Sequence, residues 1–429
     1  MNAESFADAG SPTTLAQKLV ARAAGRASVS PGEFVNCQVD LAMFHDSSGP
    51  RRLKPMLAEL GAQVWDKRKV VLVIDHYVPE ADDESRRIVR IARDWAAEQG
   101  LPHVYDSQGI CHVVVPQHGH IRPGLFCVGG DSHSPTGGAF GAYMFGIGAT
   151  EMLGVVVTGE LWLQVPRTLF MAWGGALADG VSAKDMALAM LQRLGMNGGQ
   201  YQAVEYVGPA VRALGMAERM TLANMSAELG AQTGLIAPDQ TTLEWLAAHG
   251  ARDVDIAGWH SDPGADGACH AFDASSLAPQ VAMPHSPANV CAVTDLPATR
   301  VDVAYIGACT GAKLEDLRAA ARVLAGQQIA AHVQLLIAPA SVADLRLAER
   351  EGVLRQLTDA GAQLLPSSCG ACAGYGGRIA DNTTVISSTA RNFQGRMGAA
   401  STQVYLGSPY TVAASALRGV ISDARELLA

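Results

Sequence analysis

The chain has 429 residues, of which 48% are apolar and 17% charged, so it can bury a large core and is not a disordered protein. Its 32 basic and 41 acidic residues leave a formal charge of −9, which argues against the basic face of a nucleic-acid-binding protein. Eight cysteines are too few for a disulfide scaffold, and no apolar segment resembles a secretory signal or a membrane span. We therefore expect a soluble protein of the cytoplasm that has no membrane partner.

Short apolar runs alternate along the chain with longer segments of helical period, a pattern that predicts an α/β fold. Length alone predicts two to four domains, at about 150 residues each. In chain order, the predicted elements are strand Val70–Ile74, helix Ser85–Gln99, strand Phe126–Gly129, helix Ser182–Leu194, strand Val301–Ile306, helix Leu314–Ala325, strand Val333–Ile337, helix Val342–Glu351 and strand Thr384–Ile386.

Two changes in composition predict domain boundaries. The segment Gln164–Pro166 closes a glycine-rich part of the chain. Residues 264–289 are rich in Ala, Ser, Pro and Gly and have weak periodicity, which is typical of a linker. The sequence therefore predicts three parts: 1–166, 167–287 and 288–429.

Three cysteines lie at positions that suggest a redox or metal-binding role. Cys309 closely follows the predicted strand Val301–Ile306, and Cys369 and Cys372 form a C-x-x-C motif in a glycine-rich turn. A redox-active dithiol would leave Cys309 without a role, and structural zinc usually has four ligands. An iron–sulfur cluster is bound by thiolates, and three cysteines would leave one iron of a four-iron cluster open to substrate. The cysteines alone leave these three kinds of site open.

Carboxylates and imidazoles are grouped in the first part of the chain. The pairs Asp75–His76 and Asp131–His133 each come directly after a predicted strand, and His112 precedes the apolar run Val113–Val115. Side chains placed just past the carboxyl ends of strands can meet in a shared crevice. A neighbouring carboxylate can hold an imidazole in one tautomer and tune its acidity. A single histidine at such a position is more often structural, but two Asp–His pairs together with His112 favour a functional site.

Two cationic side chains follow the last predicted strand. Arg391 and Arg396 are five positions apart in R-N-F-Q-G-R. A guanidinium can form two parallel hydrogen bonds with a carboxylate, so these residues suit a substrate that carries two carboxylates. Ordinary surface ion pairs are the alternative, and the spacing does not exclude them.

Seven motifs resemble the aconitase superfamily, and within it the family of 3-isopropylmalate dehydratase large subunits. They follow the family's order from about residue 15 to the C-terminus, so the resemblance covers nearly the whole chain. The motifs are D-H-Y-V-P, G-I-C-H, G-G-D-S-H-S-x-T-G-G-A, F-G-I-G-A-T-E, A-C-T-G-x-K-x-E-D-L-R, C-G-A-C-x-G and R-N-F-Q-G-R.

This resemblance implies three α/β/α domains of aconitase type around a central cleft that holds a 4Fe–4S cluster. The cluster would be ligated by Cys309, Cys369 and Cys372. The implied activity is the reversible removal and addition of water on a hydroxy dicarboxylate, with 3-isopropylmalate and 2-isopropylmalate as the leading substrate pair. Citramalate, dimethylmalate or another substituted malate are alternative substrates.

The resemblance also assigns roles to the other candidate residues. The catalytic network of the family corresponds to Asp75, His76, His112, Asp131, His133 and Glu228. The substrate-binding residues of the family correspond to Ser132, Asn224, Arg391 and Arg396.

The chain departs from the family pattern at two positions near the implied cluster. The family usually has Asn where Gly311 stands, two residues after the first cysteine, and Asn where Ala390 stands, directly before R-N-F. All three cysteines are retained, so we still expect the cluster. The groups surrounding it are expected to differ from those of other members of the family.

A serine segment of the type G-S-S-R-E, which full-length aconitases carry on a mobile fourth domain, does not occur in the chain. The large-subunit resemblance therefore implies a separate small subunit that supplies this swivel domain and its catalytic serine. Two other functions are known for chains of this kind, an iron-responsive RNA-binding regulator and a dehydratase without a cluster. The acidic charge argues against the first, and the retained cysteines argue against the second.

Overall fold

The computed structural model describes residues 11–375 and 379–428, which form a mixed α/β fold with four sheets. The first of three groups of elements contains a five-stranded parallel sheet of order β4-β3-β2-β5-β6 and an antiparallel ribbon of β1 and β7. Its elements are α1 (Leu15–Ala23), β1 (Phe34–Gln38), β2 (Leu41–His45), α2 (Pro50–Leu60), β3 (Val70–Ile74), α3 (Asp83–Gln99), β4 (His103–Asp106), α4 (Cys111–Gln117), β5 (Phe126–Gly129), a 3₁₀ helix (Ser134–Phe140), β6 (Tyr143–Gly146), α5 (Ala149–Thr158) and β7 (Glu160–Gln164).

The second group contains a four-stranded parallel sheet of order β10-β9-β8-β11. Its elements are β8 (Thr168–Gly174), α6 (Ala183–Leu194), β9 (Ala203–Val207), α7 (Pro209–Ala213), α8 (Met216–Met225), β10 (Thr233–Leu235), α9 (Gln240–Ala248) and β11 (Ala268–Asp273).

The third group forms a seven-stranded sheet of order β13-β12-β18-β17-β14-β15-β16, in which only β12 and β13 run antiparallel to their neighbours. Its elements are β12 (Gln280–Ala282), β13 (Val290–Ala292), β14 (Val303–Ile306), α10 (Leu314–Leu324), β15 (Gln334–Ile337), α11 (Val342–Arg350), α12 (Val353–Asp359), β16 (Gln363–Leu364), α13 (Gly370–Ala373), β17 (Thr384–Ser387), β18 (Gln403–Leu406), α14 (Pro409–Arg418) and α15 (Arg425–Leu428).

All nine predicted elements are confirmed, with ends that differ from the prediction by no more than two residues. The strands were predictable because parallel strands covered on both faces consist of continuous apolar runs, and every residue of β3 and β5 is buried. Among the described helices, none is long and apolar enough to cross a membrane.

The prediction of a linker over residues 264–289 was wrong. This segment contains β11, which pairs in parallel with β8 at the edge of the second sheet, and β12, which belongs to the third sheet. Most residues of β11 are exposed, so it lacks the apolar run that would identify a strand. It is held instead by its ladder with β8 and by Phe272, whose ring stacks on Trp173 with centroids 4.6 Å apart.

The order of the strands determines where polar loops converge. In the first sheet the chain moves outward from β2 through β3 to β4 and then returns to place β5 on the other side of β2. In the third sheet β17 likewise returns to the free side of β14. At such switch points the loops that leave the carboxyl ends of adjacent strands diverge and open a crevice. Asp131 follows β5 and Cys309 follows β14, so both lie at switch points.

A buried guanidinium supports the second group of elements. Arg219 of α8 is fully buried and donates two hydrogen bonds, of 2.8 and 2.7 Å, to the carboxylate of Asp239, which caps α9. Its remaining donors bind the backbone carbonyls of Leu214 and Arg212. This one side chain therefore joins α8, α9 and the loop after α7.

We predict that Arg219→Met lowers the free energy of unfolding by about 3 kcal/mol, because it leaves the carbonyls of Leu214 and Arg212 without this donor and removes the ion-pair partner of the partly exposed Asp239. Arg300→Met is the matched control, since Arg300 also pairs with a carboxylate but its side chain is 68% exposed. The control should change stability by less than about 1 kcal/mol. Chemical denaturation of the two variants measures both values, and equal losses would contradict a structural role for Arg219.

Candidate active site

The carboxylate of Asp131 is the centre of a group of imidazoles. Its Oδ1 accepts hydrogen bonds of 2.8 Å from Nε2 of His112 and from the backbone N–H of His133. Its Oδ2 lies 3.5 Å from Nε2 of His45 and 3.8 Å from Nε2 of His76. Burial acts to raise the pKa of Asp131, but the surrounding imidazoles outweigh it and hold that pKa well below its ordinary value. Asp131 is therefore an anion that orients four histidines.

The pair Asp75–His76 forms a second part of this network. Oδ1 of Asp75 accepts a 2.7 Å hydrogen bond from Nδ1 of His76, and Oδ2 accepts another of 2.7 Å from the backbone N–H of Cys111. Burial acts to lower the pKa of His76, but the Asp75 carboxylate outweighs it and raises that pKa to about 10. His76 is consequently an imidazolium at neutral pH, and its Nε2 proton faces Asp131.

Two further residues of this network, His45 and Asp46, were missed by the sequence analysis. The ring of His45 stacks on that of His76 with centroids 3.7 Å apart. The carboxylate of Asp46 accepts the successive backbone N–H groups of Asp75, His76 and Tyr77, at 3.3, 3.0 and 2.8 Å. Both residues lie at the end of β2, which was not predicted as a strand. The signal was present nevertheless, because a polar pair directly follows a short apolar run there, as it does at Asp75–His76.

His112 is carried by a helix, whereas the two Asp–His pairs follow strands. It occupies the first turn of helix α4, and the apolar run Val113–Val115 belongs to the same helix rather than to a strand. The helix directs its imidazole to Asp131 across the carboxyl edge of the first sheet. The expectation that His112 meets the Asp–His pairs is therefore confirmed, although the element that carries it is a helix.

A chain of polar contacts links the first, second and third groups of elements. Nε2 of His133 lies 3.0 Å from Oε1 of Glu228, which also accepts a 2.7 Å hydrogen bond from Nε of Arg391. Burial acts to raise the pKa of Glu228, but His133 and Arg391 outweigh it and lower that pKa. His133 and Glu228 are 95 positions apart in the chain, Glu228 and Arg391 are 163 apart, and the Glu228 carboxylate lies between an imidazole and a guanidinium.

Ser132 and Arg396 are less enclosed than the rest of the site. Ser132 is exposed and lines an open depression beside Asp131 and Tyr201. Arg396 is half-buried, and its buried Nε has no hydrogen-bond partner within the described chain. Of the two predicted arginines, Arg391 is therefore already paired with Glu228, whereas Arg396 retains a free donor for a ligand.

The three candidate cysteines lie beside this network with free thiols. Sγ of Cys309 accepts a 3.1 Å hydrogen bond from Nδ2 of Asn224, and burial together with Cys372 raises the pKa of Cys309 to about 12. The neighbouring thiol of Cys369 lowers the pKa of Cys372 through a hydrogen bond. The backbone N–H of Cys369 donates to the carbonyl of Asp75 at 2.9 Å, which joins the cysteine loop to the Asp–His network.

Gly311, one of the two departures from the family pattern, is required by the packing of this loop. A Cβ atom at position 311 would lie 2.3 Å from both Cβ and Oγ of Ser388. Oγ of Ser388 accepts the backbone N–H of Gly307 at 2.9 Å and lies 3.1 and 3.3 Å from the carbonyls of Gly307 and Gly311. Ser388 therefore occupies the space that a side chain at position 311 would need. The structure offers no comparable explanation for Ala390.

The chain is similar over nearly its whole length to proteins of one family. Residues 17–299 and 294–419 match the Aconitase family (aconitate hydratase). The 3-isopropylmalate dehydratase large subunit 1 of Methanopyrus kandleri is 41% identical over 97% of this chain and 99% of its own length. The corresponding figures are 39%, 95% and 98% for the probable large subunit of Methanothermobacter thermautotrophicus, and 37%, 96% and 96% for the large subunit of Sulfurihydrogenibium sp.. This chain belongs to the aconitase family and is a hydro-lyase.

Proposed function

We propose that this chain is the large subunit of a 3-isopropylmalate dehydratase, which interconverts 3-isopropylmalate and 2-isopropylmalate by removing and adding water. The observation that carries the proposal is the full-length similarity to large subunits of that name, at 37–41% identity. The Asp–His network beside three free thiols supports it, because water removal requires proton transfer and activation of a hydroxyl. A citramalate or dimethylmalate hydratase is not favoured by these relatives.

The buried groups around the cysteines fit a 4Fe–4S cluster. Three free thiols come from two loops, Cys369 is hydrogen-bonded to Cys372, and an amide N–H of Asn224 already donates to Cys309. Within the described chain, buried Oδ1 of Asn224, Oγ of Ser367 and Nε of Arg396 have no hydrogen-bond partner. A buried polar atom without a partner calls for an explanation, and a bound group would supply one at these three atoms. Cys309, Cys369 and Cys372 would hold the cluster, which when bound acts as a Lewis acid toward the substrate hydroxyl and carboxylate.

The side chains of the network would then handle protons and carboxylates. His76, held as an imidazolium by Asp75, has a proton to donate to a departing hydroxyl, and Asp131 orients it together with His112 and His133. Arg396, with Arg391 at its side, would bind a substrate carboxylate. Glu228 keeps Arg391 and His133 in position. Ser132 would contact the substrate at the open depression beside Asp131, and Asn224 would contact it beside the thiols.

The catalytic base that removes the carbon-bound proton is assigned to a second polypeptide. The relatives are named large subunits, which supports a small subunit as partner. We propose that this partner carries the swivel domain and the catalytic serine, and that the chain itself has the domains 1–166, 167–287 and 288–429. The eight cysteines are all free, which suits a reducing compartment such as the cytoplasm.

We predict that the three cysteines are individually necessary for the cluster. After anaerobic reconstitution the wild-type chain should contain about four irons and four sulfides, whereas Cys→Ser at position 309, 369 or 372 should prevent this, because each removes one thiolate ligand. Cys127→Ser is the control, since Cys127 is also a buried free cysteine but lies in β5. Iron and sulfide analysis decides the matter, and equal contents in all four variants would refute the ligand assignment.

Arg396→Lys is expected to lower kcat/KM by about ten- to a hundredfold, because a lysine keeps the charge but loses the two-pronged contact with a carboxylate. The matched control is Arg300→Lys, a substitution at an exposed arginine. Steady-state kinetics of the reconstituted complex on 3-isopropylmalate measures the effect. An unchanged kcat/KM for Arg396→Lys would remove this arginine from the substrate site.

We predict that the reconstituted chain alone has negligible activity and that a small subunit restores it. General acid–base catalysis typically contributes 10²- to 10⁴-fold, so a site without its base should be nearly inactive. Assays on 3-isopropylmalate, citramalate and dimethylmalate, with and without the small subunit, test both the partner and the substrate. Full turnover by the chain alone would overturn the two-component proposal, and a preference for citramalate or dimethylmalate would overturn the substrate.

A further inference from the structure

His45 is a buried imidazole at the end of strand β2 to which the proposed reaction assigns no step. It is 4% exposed, and its ring lies nearly parallel to that of His76, with 9° between the planes and centroids 3.7 Å apart. Its Nε2 lies 3.2 Å from Oγ of Ser48 and 3.5 Å from Oδ2 of Asp131. A second imidazole therefore covers one face of the side chain that we propose as the proton donor.

The hydrogen bonds of His45 decide which of its ring nitrogens carries a proton. Its Nδ1 accepts the backbone N–H groups of Ser47 and Ser48, at 3.2 and 3.4 Å. A ring nitrogen accepts a hydrogen bond only through its lone pair, so Nδ1 is unprotonated and the one ring proton is on Nε2. His45 is therefore a neutral imidazole whose Nε2–H group faces Ser48 and Asp131.

The stacked partner of His45 is in the opposite protonation state. Nδ1 of His76 donates to Oδ1 of Asp75 at 2.7 Å, and its Nε2 proton faces Oδ2 of Asp131 at 3.8 Å. Two imidazolium rings at this separation would repel each other, whereas the face of a neutral aromatic ring attracts a cation. The pair thus carries one positive charge, and the backbone N–H groups after β2 determine that His76 carries it.

The side chain of His76 is held from several directions. Asp75 accepts its Nδ1–H group, and the Asp46 carboxylate accepts three successive backbone N–H groups of the turn that carries it. His45 covers a face of the ring. The contact with His45 also reaches the acceptor, because Nε2 of His45 and Nε2 of His76 both face Oδ2 of Asp131. His45 therefore lies against both the proposed donor and the carboxylate that orients it.

We propose that His45 is a positioning residue for the proton donor, a neutral imidazole with its proton on Nε2 that keeps the ring of His76 aligned with Asp131. This inference rests on the proposed role of His76 in the removal of water. A side chain at position 45 that lacks the ring or its nitrogens would leave His76 less restrained. Proton transfer would then slow, because it depends on precise placement of the donor, while substrate binding would stay similar.

Steady-state kinetics of the reconstituted complex with its small subunit tests this role. His45→Phe keeps a flat ring without the nitrogens, and His45→Gln keeps an N–H donor without the ring. Both should lower kcat by roughly 10- to 100-fold while KM changes by less than about threefold, because the donor is misplaced and the substrate contacts remain. His103→Phe is the matched control, since His103 is half-buried in β4 and its ring contacts His120. It should retain the wild-type kcat.

The protonation state of His45 can be measured without any activity. In the full-length chain with ¹⁵N in its histidine rings, the NMR signals that are lost in both His45 variants belong to His45. We expect these signals to show an unprotonated Nδ1 and a protonated Nε2 at neutral pH. A doubly protonated ring, or a proton on Nδ1, would overturn the proposal.

The kinetic outcomes separate this inference from the proposed function. An active wild-type complex whose His45 variants keep the wild-type kcat would exclude a positioning role, even if those variants melt at a lower temperature. A change confined to KM would mean that His45 binds the substrate directly, which also contradicts the proposal. A wild-type complex without activity on any substituted malate would overturn the proposed function instead, and the ring signals would still decide the state of His45.

Discussion

The candidate site depends on one constraint, which is that its charged side chains are buried away from water. Asp131 is surrounded by imidazoles of His45, His76, His112 and His133, and its anion is retained only because these groups donate to it or lie close to it. A carboxylate in an apolar environment would otherwise bind a proton. The same requirement explains the pairing of Asp75 with His76 and of Glu228 with Arg391. Each of these buried carboxylates therefore lies beside an imidazole or a guanidinium.

The first and third sheets position these charged residues close to one another. The loops after β2, β3 and β5 carry the polar residues of the first sheet, and those after β14 and β17 carry Cys309 and Arg391 of the third. Backbone contacts then join the two edges, as when the N–H of Cys369 donates to the carbonyl of Asp75. The second group contributes its helix α8, whose Asn224 donates to Cys309 and which is followed by Glu228. The crevice is thus lined by loops that a stable core holds in position.

The cysteine loop shows how a departure from a family pattern can be compensated locally. Gly311 removes a side chain next to Cys309, and Ser388 fills the vacated volume and binds the backbone on both sides of it. Lys184 of α6 donates to the carbonyl of Thr389, and Lys313, the residue before α10, donates to the carbonyl of Cys309. The loop is therefore held by buried donors rather than by its own secondary structure, which suits a site that must keep three thiols in fixed positions.

The sequence by itself located nine of the helices and strands and determined the chemical character of the site. The spacing of apolar residues along the chain indicates which residues are buried, so β3, β5 and helix α6 could be located. The positions directly after apolar runs identified Asp75, Asp131 and Cys309. Contacts between distant residues depend on strand order, which local patterns do not encode. Only the tertiary structure therefore placed His133 against Glu228 and Arg391, added His45 and Asp46 to the network, and made an exposed segment into β11.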